Sequence, residues 1–466
     1  MTSGSHNRND DTVTVELLQR YDRPGPRYTS YPTVPMWSDA VGAEAYREAL
    51  RNASVRTDEP VALYVHIPFC RSRCFYCGCN TCVTQDMEAP RNYLDLVYRE
   101  CEEVSRLLGD RRGIGQLHFG GGTPTYIGVE GLTKVLAKLR SHFDLLPRCE
   151  MSIEVDPRTA GRRAVMELRQ LGFNRVSFGV QDFDPDVQKA IGRFQSTDRV
   201  REVLNAAREA DYAGINFDLI YGLPQQTPES FAQTLTTTIE MHPDRIALYS
   251  FAYLPRLRPN QTSIKEEELP DTQTKFQLFS DAIRELTNAG YRQIGMDHFA
   301  LPQDELSRAQ EDGRLHRNFM GYTVQAAQEM VGIGMSAIGY IDNTFVQNAS
   351  SLEAYQSAIE TEGLAVYRGL KLSRDDVVRR YVISELMCNF AMVYDQLESR
   401  LDVNYEDYFA SEDERLEPFI EDGLLRRDAE GLKVTPIGRT FVRNIAMAFD
   451  AYLKDPSRGG TFSRTI

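Results

Sequence analysis

Residues 21–32 carry three prolines and three tyrosines, a density of proline that excludes a regular helix. Two readings stay open for this stretch: a solvated arm, or an ordered strap whose tyrosines pack on something. From residue 61 the pattern changes. Short runs rich in β-branched and aromatic residues, at 61–67, 116–119, 151–155, 175–181, 215–221 and 245–251, alternate with longer helix-like stretches such as 131–140 and 198–208. Strand, helix and strand at this spacing predict right-handed crossovers and a parallel sheet. Six such units suggest a partial or complete β/α barrel, with a doubly wound sheet as the competing arrangement. Residues 270–290 read as one more helix, and the glycines at 321, 332, 334 and 339 mark a loop with a short strand. After about Ser373 the chain turns helical around a small hairpin at 423–435, a pattern that resembles a winged-helix module.

Composition narrows the class. The 466 residues are 42% apolar, enough for a sizeable core. Lys plus Arg is 53 against 67 Asp plus Glu, a formal charge of −14. That balance argues against a nucleic-acid coat or a polybasic membrane binder. The first 11 residues are polar and lack a secretory apolar core. No apolar run approaches a membrane span, so a cytoplasmic location is expected. Thiols stay reduced there.

Five of the eight cysteines, Cys70, Cys74, Cys77, Cys79 and Cys82, fall in one window directly after the first predicted strand. In a barrel this is where working loops lie. Their Cys-x3-Cys-x2-Cys spacing lets Cys70, Cys74 and Cys77 bind three corners of an iron–sulfur cube and leave the fourth iron open. A zinc cage is the alternative, but such sites usually pair two knuckles from separate segments, and no second knuckle follows. Cys79 as a fourth ligand would leave only electron transfer. Gly120–Thr123, Glu154, Gln181, Asp218 and Ala252 all fall at or near the C-terminal ends of predicted strands, which converge on one mouth in a barrel. Any one of them could be a turn or a helix cap; five on one face point to a ligand. Glycines at 120–122 would let the backbone approach it.

The cysteine motif with Tyr76 resembles that of the radical S-adenosylmethionine (SAM) enzymes. Further stretches resemble the oxygen-independent coproporphyrinogen III oxidase family: 64–70, 77–80, 119–125, 153–157, 179–183, 218–224, 295–300 and 315–319. The resemblance implies a partial (β/α)6 radical-SAM-type barrel over 61–370, an N-terminal extension over 1–60, and a mostly helical, winged-helix-like C-terminal domain over 371–466. It implies a [4Fe-4S] cluster on Cys70, Cys74 and Cys77, and two SAM molecules. The first SAM would meet Tyr64, Gly121, Glu154 and Ile338; the second would meet Gly122, Thr123, Gln181, Arg193, Asp218 and Ala252. Tyr64 and Cys79 would take part in catalysis, with Cys79 non-ligating. The implied reaction turns two propionates of coproporphyrinogen III into vinyl groups, with an unidentified electron donor and a monomeric enzyme. Arg27, Arg317 and Arg193 are candidates to pair with substrate carboxylates. Met320 departs from the family, where glutamine is expected after Phe319; a thioether cannot donate that hydrogen bond. Two other functions compete: a haem-carrying chaperone relative, disfavoured by the 27–32 segment and Cys79, and a winged-helix regulator that binds DNA, disfavoured by the charge.

Overall fold

A computed structural model describes residues 13–86, 88–324, 329–454 and 462–465; the polar segment 1–11 lies outside them. All six expected strands are present as β1 (Val61–Ile67), β2 (Gly113–Gly121), β3 (Asp144–Val155), β4 (Arg175–Gln181), β5 (Gly214–Tyr221) and β6 (Arg245–Ser250). They pair in parallel in chain order. Along them, side chains alternate between two faces. Leu117, Phe119, Ile153, Val155, Val176, Phe178, Phe217 and Leu219 face the crossover helices and are buried in the main apolar core.

The sheet is larger than six strands. β7 (Arg292–Ile294) and β8 (His298–Ala300) follow β6, and β9 (Met330–Ile333), β10 (Ile338–Ile341), β11 (Thr344–Asn348) and β12 (Val366–Lys371) extend the other edge. The order is β12-β11-β10-β9-β1-β2-β3-β4-β5-β6-β8-β7. β9 joins β1 in parallel, whereas the outer strands run antiparallel. Among the described residues no pairing links the two edges, so the barrel is partial.

The C-terminal region has its own core. Helices Arg374–Asn389 and Tyr405–Glu421 pack Val378, Val382, Leu386, Phe409 and Leu416 against the hairpin Leu425–Arg427/Gly431–Val434. A third short strand, Ala391–Val393, completes that sheet. The three strap tyrosines belong to this core: Tyr21, Tyr28 and Tyr31 are buried in it. Their hydroxyls are engaged as well. Tyr21 donates to Asp422 at 2.6 Å, Tyr28 donates to Asp450 at 2.9 Å, and Tyr31 accepts from the Ala451 N–H at 3.1 Å. The helix Ala43–Ala53 instead buries Tyr46 and Leu50 in the barrel core. The first 60 residues are thus shared between two cores. The strap reading fits this packing, and the solvated arm does not.

Candidate functional site

The residues of β2–β6 that face away from the helices line a cavity of about 450 Å³. Its wall is polar in layers. At the floor, Gln116 donates to Glu150 at 2.8 Å, Arg175 pairs with Glu150 at 2.8 Å, and Arg245 pairs with Asp304 at 2.9 Å and Glu305 at 3.1 Å. In the middle, His118 Nδ1 lies 2.6 Å from Ser152 Oγ, while Ser177 and Asn216 donate to Asp218 at 2.9 Å each. At the mouth stand Glu154, Gln181 and the cysteine loop.

The cysteine loop starts from Phe69–Cys70, which pairs with Cys82–Val83 so that Cys70 faces Val83. The Cys70 thiol lies 3.4 Å from Thr123 Oγ1, and burial pushes it up to about 11. Cys74 is buried and receives guanidinium N–H groups from Arg158 at 3.6 Å and Arg193 at 3.7 Å. Asp156 holds both arginines, pairing with Arg158 at 2.7 Å and Arg193 at 3.1 Å. The neighbouring Cys79 thiol, as hydrogen-bond donor, lowers Cys77 to about 6, and Cys79 itself is raised. The donor beside Cys77 favours its thiolate, the form that ligates iron. The loop is also tied from outside. Asn260 Nδ2 donates to the carbonyls of Cys74, Phe75 and Cys77 at 3.2, 2.9 and 3.0 Å. Gln261 reaches Tyr76 O at 3.1 Å. This donor set suits a thiolate-held cluster. Among the described residues no three His, Cys, Asp or Glu side chains are gathered to hold a single metal ion.

The glycine run serves packing as much as ligand approach. A Cβ on Gly122 would lie 2.6 Å from Pro68 O, and one on Gly121, at φ 116°, would lie 2.6 Å from His66 Cε1. The Gly122 and Thr123 N–H groups bond to Ile67 and Phe69 carbonyls at 2.9 Å each. Without side chains, the end of β2 lies flat against the chain leading into the cysteine loop. Gly120 leaves room for the Glu154 carboxylate, which accepts the Gly121 N–H at 3.1 Å.

Tyr64 is fixed by two histidines. Its ring stacks on His118, with centroids 5.8 Å apart at 14°. Its hydroxyl lies 3.0 Å from His66 Nδ1, and His66 Nε2 lies 3.1 Å from Asn80 O. A carbonyl only accepts, so Nε2 carries the proton and Nδ1 accepts from Tyr64. Burial lowers the His66 pKa and raises that of Tyr64 well above its ordinary value, keeping both neutral. Asp218 is pushed up to about 6 by burial and by Glu154.

Of the site residues expected from sequence, Cys70, Cys74, Cys77, Cys79, Gly121, Gly122, Thr123, Glu154, Gln181, Arg193 and Asp218 line the cavity together. Tyr64 stands one ring behind His118. Ala252 and Ile338 are not on this wall. Ala252 O accepts from Gln261 at 3.1 Å, and Ile338 packs beside Trp37, Tyr340 and Phe345. Arg27 and Arg317 are also off it: Arg27 donates to Ser250 O at 3.0 Å, and Arg317 lies 3.7 Å from Asp297 and over the Tyr322 ring. The mouth cations are Arg73, Arg158 and Arg193. Met320 lines the cavity and packs near Ala62 and Met330. The sequence reading missed His118, Asp156, Arg158 and Asn260. The first three sit at or next to strand ends already singled out. Asn260 lies 183–186 residues from the carbonyls it holds, and no local pattern marks it.

The C-terminal hairpin carries local ion pairs, Arg427 with Asp413 at 2.8 Å and Lys433 with Glu430 at 3.2 Å and Asp428 at 3.4 Å. A wing reading DNA phosphates would need such cations free.

Comparison with known proteins places these features together. Residues 64–237 match the radical SAM superfamily, and residues 372–441 match the HemN C-terminal domain. An oxygen-independent coproporphyrinogen III oxidase of Pseudomonas aeruginosa is 45% identical over 98% of this chain and 100% of its own length. That of Escherichia coli is 44% identical over 97% and 98%. The solved structure of Escherichia coli coproporphyrinogen III oxidase (HemN), described as a radical SAM enzyme, superposes with a TM-score of 0.88. It shares 43% identity and covers 91% of this chain and 97% of that one.

Proposed function

The chain belongs to the oxygen-independent coproporphyrinogen III oxidases of the radical SAM superfamily, and on that premise we propose how its own residues carry the reaction. It is an enzyme that oxidatively decarboxylates two propionate side chains of coproporphyrinogen III, giving the vinyl groups of protoporphyrinogen IX, in haem biosynthesis. It uses a [4Fe-4S] cluster and SAM. When bound, these supply one electron and the 5′-deoxyadenosyl radical that takes hydrogen from the propionate β-carbon. The substrate then loses carbon dioxide by cleavage of one C–C bond and passes one electron to an acceptor, leaving the vinyl group.

In this reading Cys70, Cys74 and Cys77 anchor the cluster, and Cys79 stays off the iron while donating to Cys77. Arg158 and Arg193, held by Asp156, set two guanidinium N–H groups on the Cys74 sulfur. Asn260 fixes the loop backbone that would present the three thiols to the cluster. Glu154 and Asp218 offer carboxylates to the ammonium and ribose of SAM, which suits their place on a wall where neither has a full cationic partner. Tyr64, oriented by His118 and neutral His66, supports the first SAM together with Gly121. Gly122, Thr123, Gln181 and Arg193 take the second. Ala252, on the loop after β6, and Ile338, at the start of β10, would reach a SAM only from beside the cavity. Met320 leaves the second SAM one hydrogen-bond donor fewer than a glutamine would. Residues 20–35, packed on the C-terminal core, are proposed to close the mouth over the porphyrinogen together with that domain. A monomer in the cytoplasm accords with this reading, and no described helix is long and apolar enough to cross a membrane.

The observation that carries the proposal is the convergence of the cysteine loop, Glu154, Gln181 and Asp218 on one cavity wall. Anaerobic incubation of reconstituted enzyme with coproporphyrinogen III, SAM and dithionite should yield 5′-deoxyadenosine and vinyl porphyrinogen. Formation of 5′-deoxyadenosine with no vinyl product would contradict the substrate assignment.

A further inference from the structure

We propose that the outer face of the cysteine loop is a docking surface for an acidic one-electron carrier protein. The proposal rests on the radical SAM reading above, which requires an electron from outside the chain.

Six large apolar side chains are left exposed among the described residues, and three of them flank this loop. Val83 pairs directly with Cys70. Leu257, 62% exposed, lies three residues before Asn260, whose amide clamps the loop. Phe194, 65% exposed, follows Arg193, the cation on Cys74. Of the three, Leu257 lines the groove on this face, and an exposed apolar tip rimmed by polar groups marks an interaction surface.

The charge around them is cationic on a chain of net charge −14. Arg71 and Arg73 lie within the loop, and Arg256 and Arg258 bracket Leu257. None of the four pairs with a carboxylate among the described residues, although most other arginines near the barrel do. Arg73 bonds Thr81 instead, at 2.8 and 3.0 Å. Unpaired arginines around apolar tips are the composition of a protein-binding patch.

The topography fits electron delivery. A groove of about 440 Å³ runs over this face, lined by Arg73, Cys79, Thr81, Leu257 and Arg258, with Glu353 as its one carboxylate. Arg73, Cys79 and Thr81 also line the main cavity. The loop is therefore the partition between the groove and the cavity. A carrier seated in the groove is one loop's thickness from the thiols, while the porphyrinogen and SAM occupy the other side. In the transfer the carrier's cofactor loses one electron and the cluster gains it; no bond is made or broken and no proton moves.

The probe is an acidic flavin mononucleotide carrier protein, reduced, with holoenzyme. Two quantities are read: its affinity by titration, and anaerobic turnover with either the carrier or dithionite. The triple variant Arg71→Glu, Arg256→Glu, Arg258→Glu should bind the carrier about tenfold more weakly or worse, as charge reversal does at electrostatic interfaces. Raised salt should weaken wild-type binding toward the same level. Turnover driven by dithionite should stay within about twofold of wild type. Leu257→Asp, a single change on an exposed side chain, should also weaken the carrier if the triple variant fails to fold. Unchanged affinity in the variant that folds would overturn the proposal. So would an equal loss with dithionite, or a raised KM for coproporphyrinogen III with carrier affinity intact, which would assign the arginines to the substrate. Absence of vinyl product from wild type with dithionite would instead refute the functional reading and leave the binding result standing.

Discussion

The floor and the mouth of the barrel are built from the same strands and the same alternation, yet they differ in one respect. At the floor each charge meets its opposite: Arg175 with Glu150, and Arg245 with Asp304 and Glu305. Above it, Asp218 in the middle layer and Glu154 at the mouth face the cavity without a salt bridge to an Arg or Lys among the described residues. Burial, and the nearby charge of Glu154, raise Asp218 to about 6. Polar interiors are costly unless satisfied. The floor is satisfied by the protein itself and acts as a plug. The mouth is left for a ligand to satisfy, and this difference separates structure from chemistry within one lumen.

Breaking a floor pair should have the largest effect on stability. Arg245→Met leaves Asp304 and Glu305 without this cation, and loss of one partner of a buried pair costs about 3 kcal/mol. Urea unfolding should show that loss. Glu154→Gln should lower the unfolding free energy in the same titration by less than about 1 kcal/mol, typical of a partly exposed side chain, while abolishing vinyl formation. A Glu154→Gln variant with wild-type turnover would erase the contrast.

The pH dependence sharpens it further. Asp218 titrates at about 6 in the fold against an ordinary 3.8, so the folded state prefers the protonated acid. Its contribution is full below the unfolded value and is lost as pH rises through about 6. Asp218→Asn cannot ionise. Its stability relative to wild type should therefore be highest above pH 6 and fall toward pH 4. A difference independent of pH would show that Asp218 is not held near neutral pH.

The smallest expected effect is at Met320, which lines the cavity without donating from its side chain. Met320→Gln adds a donor there. SAM should bind a few-fold tighter, in keeping with about 1 kcal/mol for one hydrogen bond, with no change in the unfolding midpoint. Equal affinity would mean that SAM does not reach this part of the wall.

Much of this was legible before any coordinates. Each of the six parallel strands announces itself by a short β-rich run, and their C-terminal ends name most of the mouth. The seventh parallel strand, β9, reads in the sequence only as a short strand within a loop, because Gly332 within it and Gly334 after it interrupt the β-rich run. The floor was hidden for another reason. Glu150, Arg175 and Arg245 come from three strands and meet through side-chain pairing, Arg175 with Glu150 and both arginines with Glu305, which a single run of sequence does not reveal. The glycines at 121 and 122 were visible, but their reason was not: the obstacle to a side chain there is His66 and Pro68, more than 50 residues earlier. The strap tyrosines declared a need for partners, and those partners, Asp422, Asp450 and Ala451, lie at the opposite end of the chain.

The central claim is that three thiols hold the cluster and leave one iron for SAM, with Cys79 outside the coordination sphere. Mössbauer spectra of reconstituted Cys79→Ser, before and after addition of SAM, test it directly. The account predicts four irons per chain, as in wild type, and a changed signal from one of them when SAM is added. Loss of iron in this variant, or four irons indifferent to SAM, would contradict it.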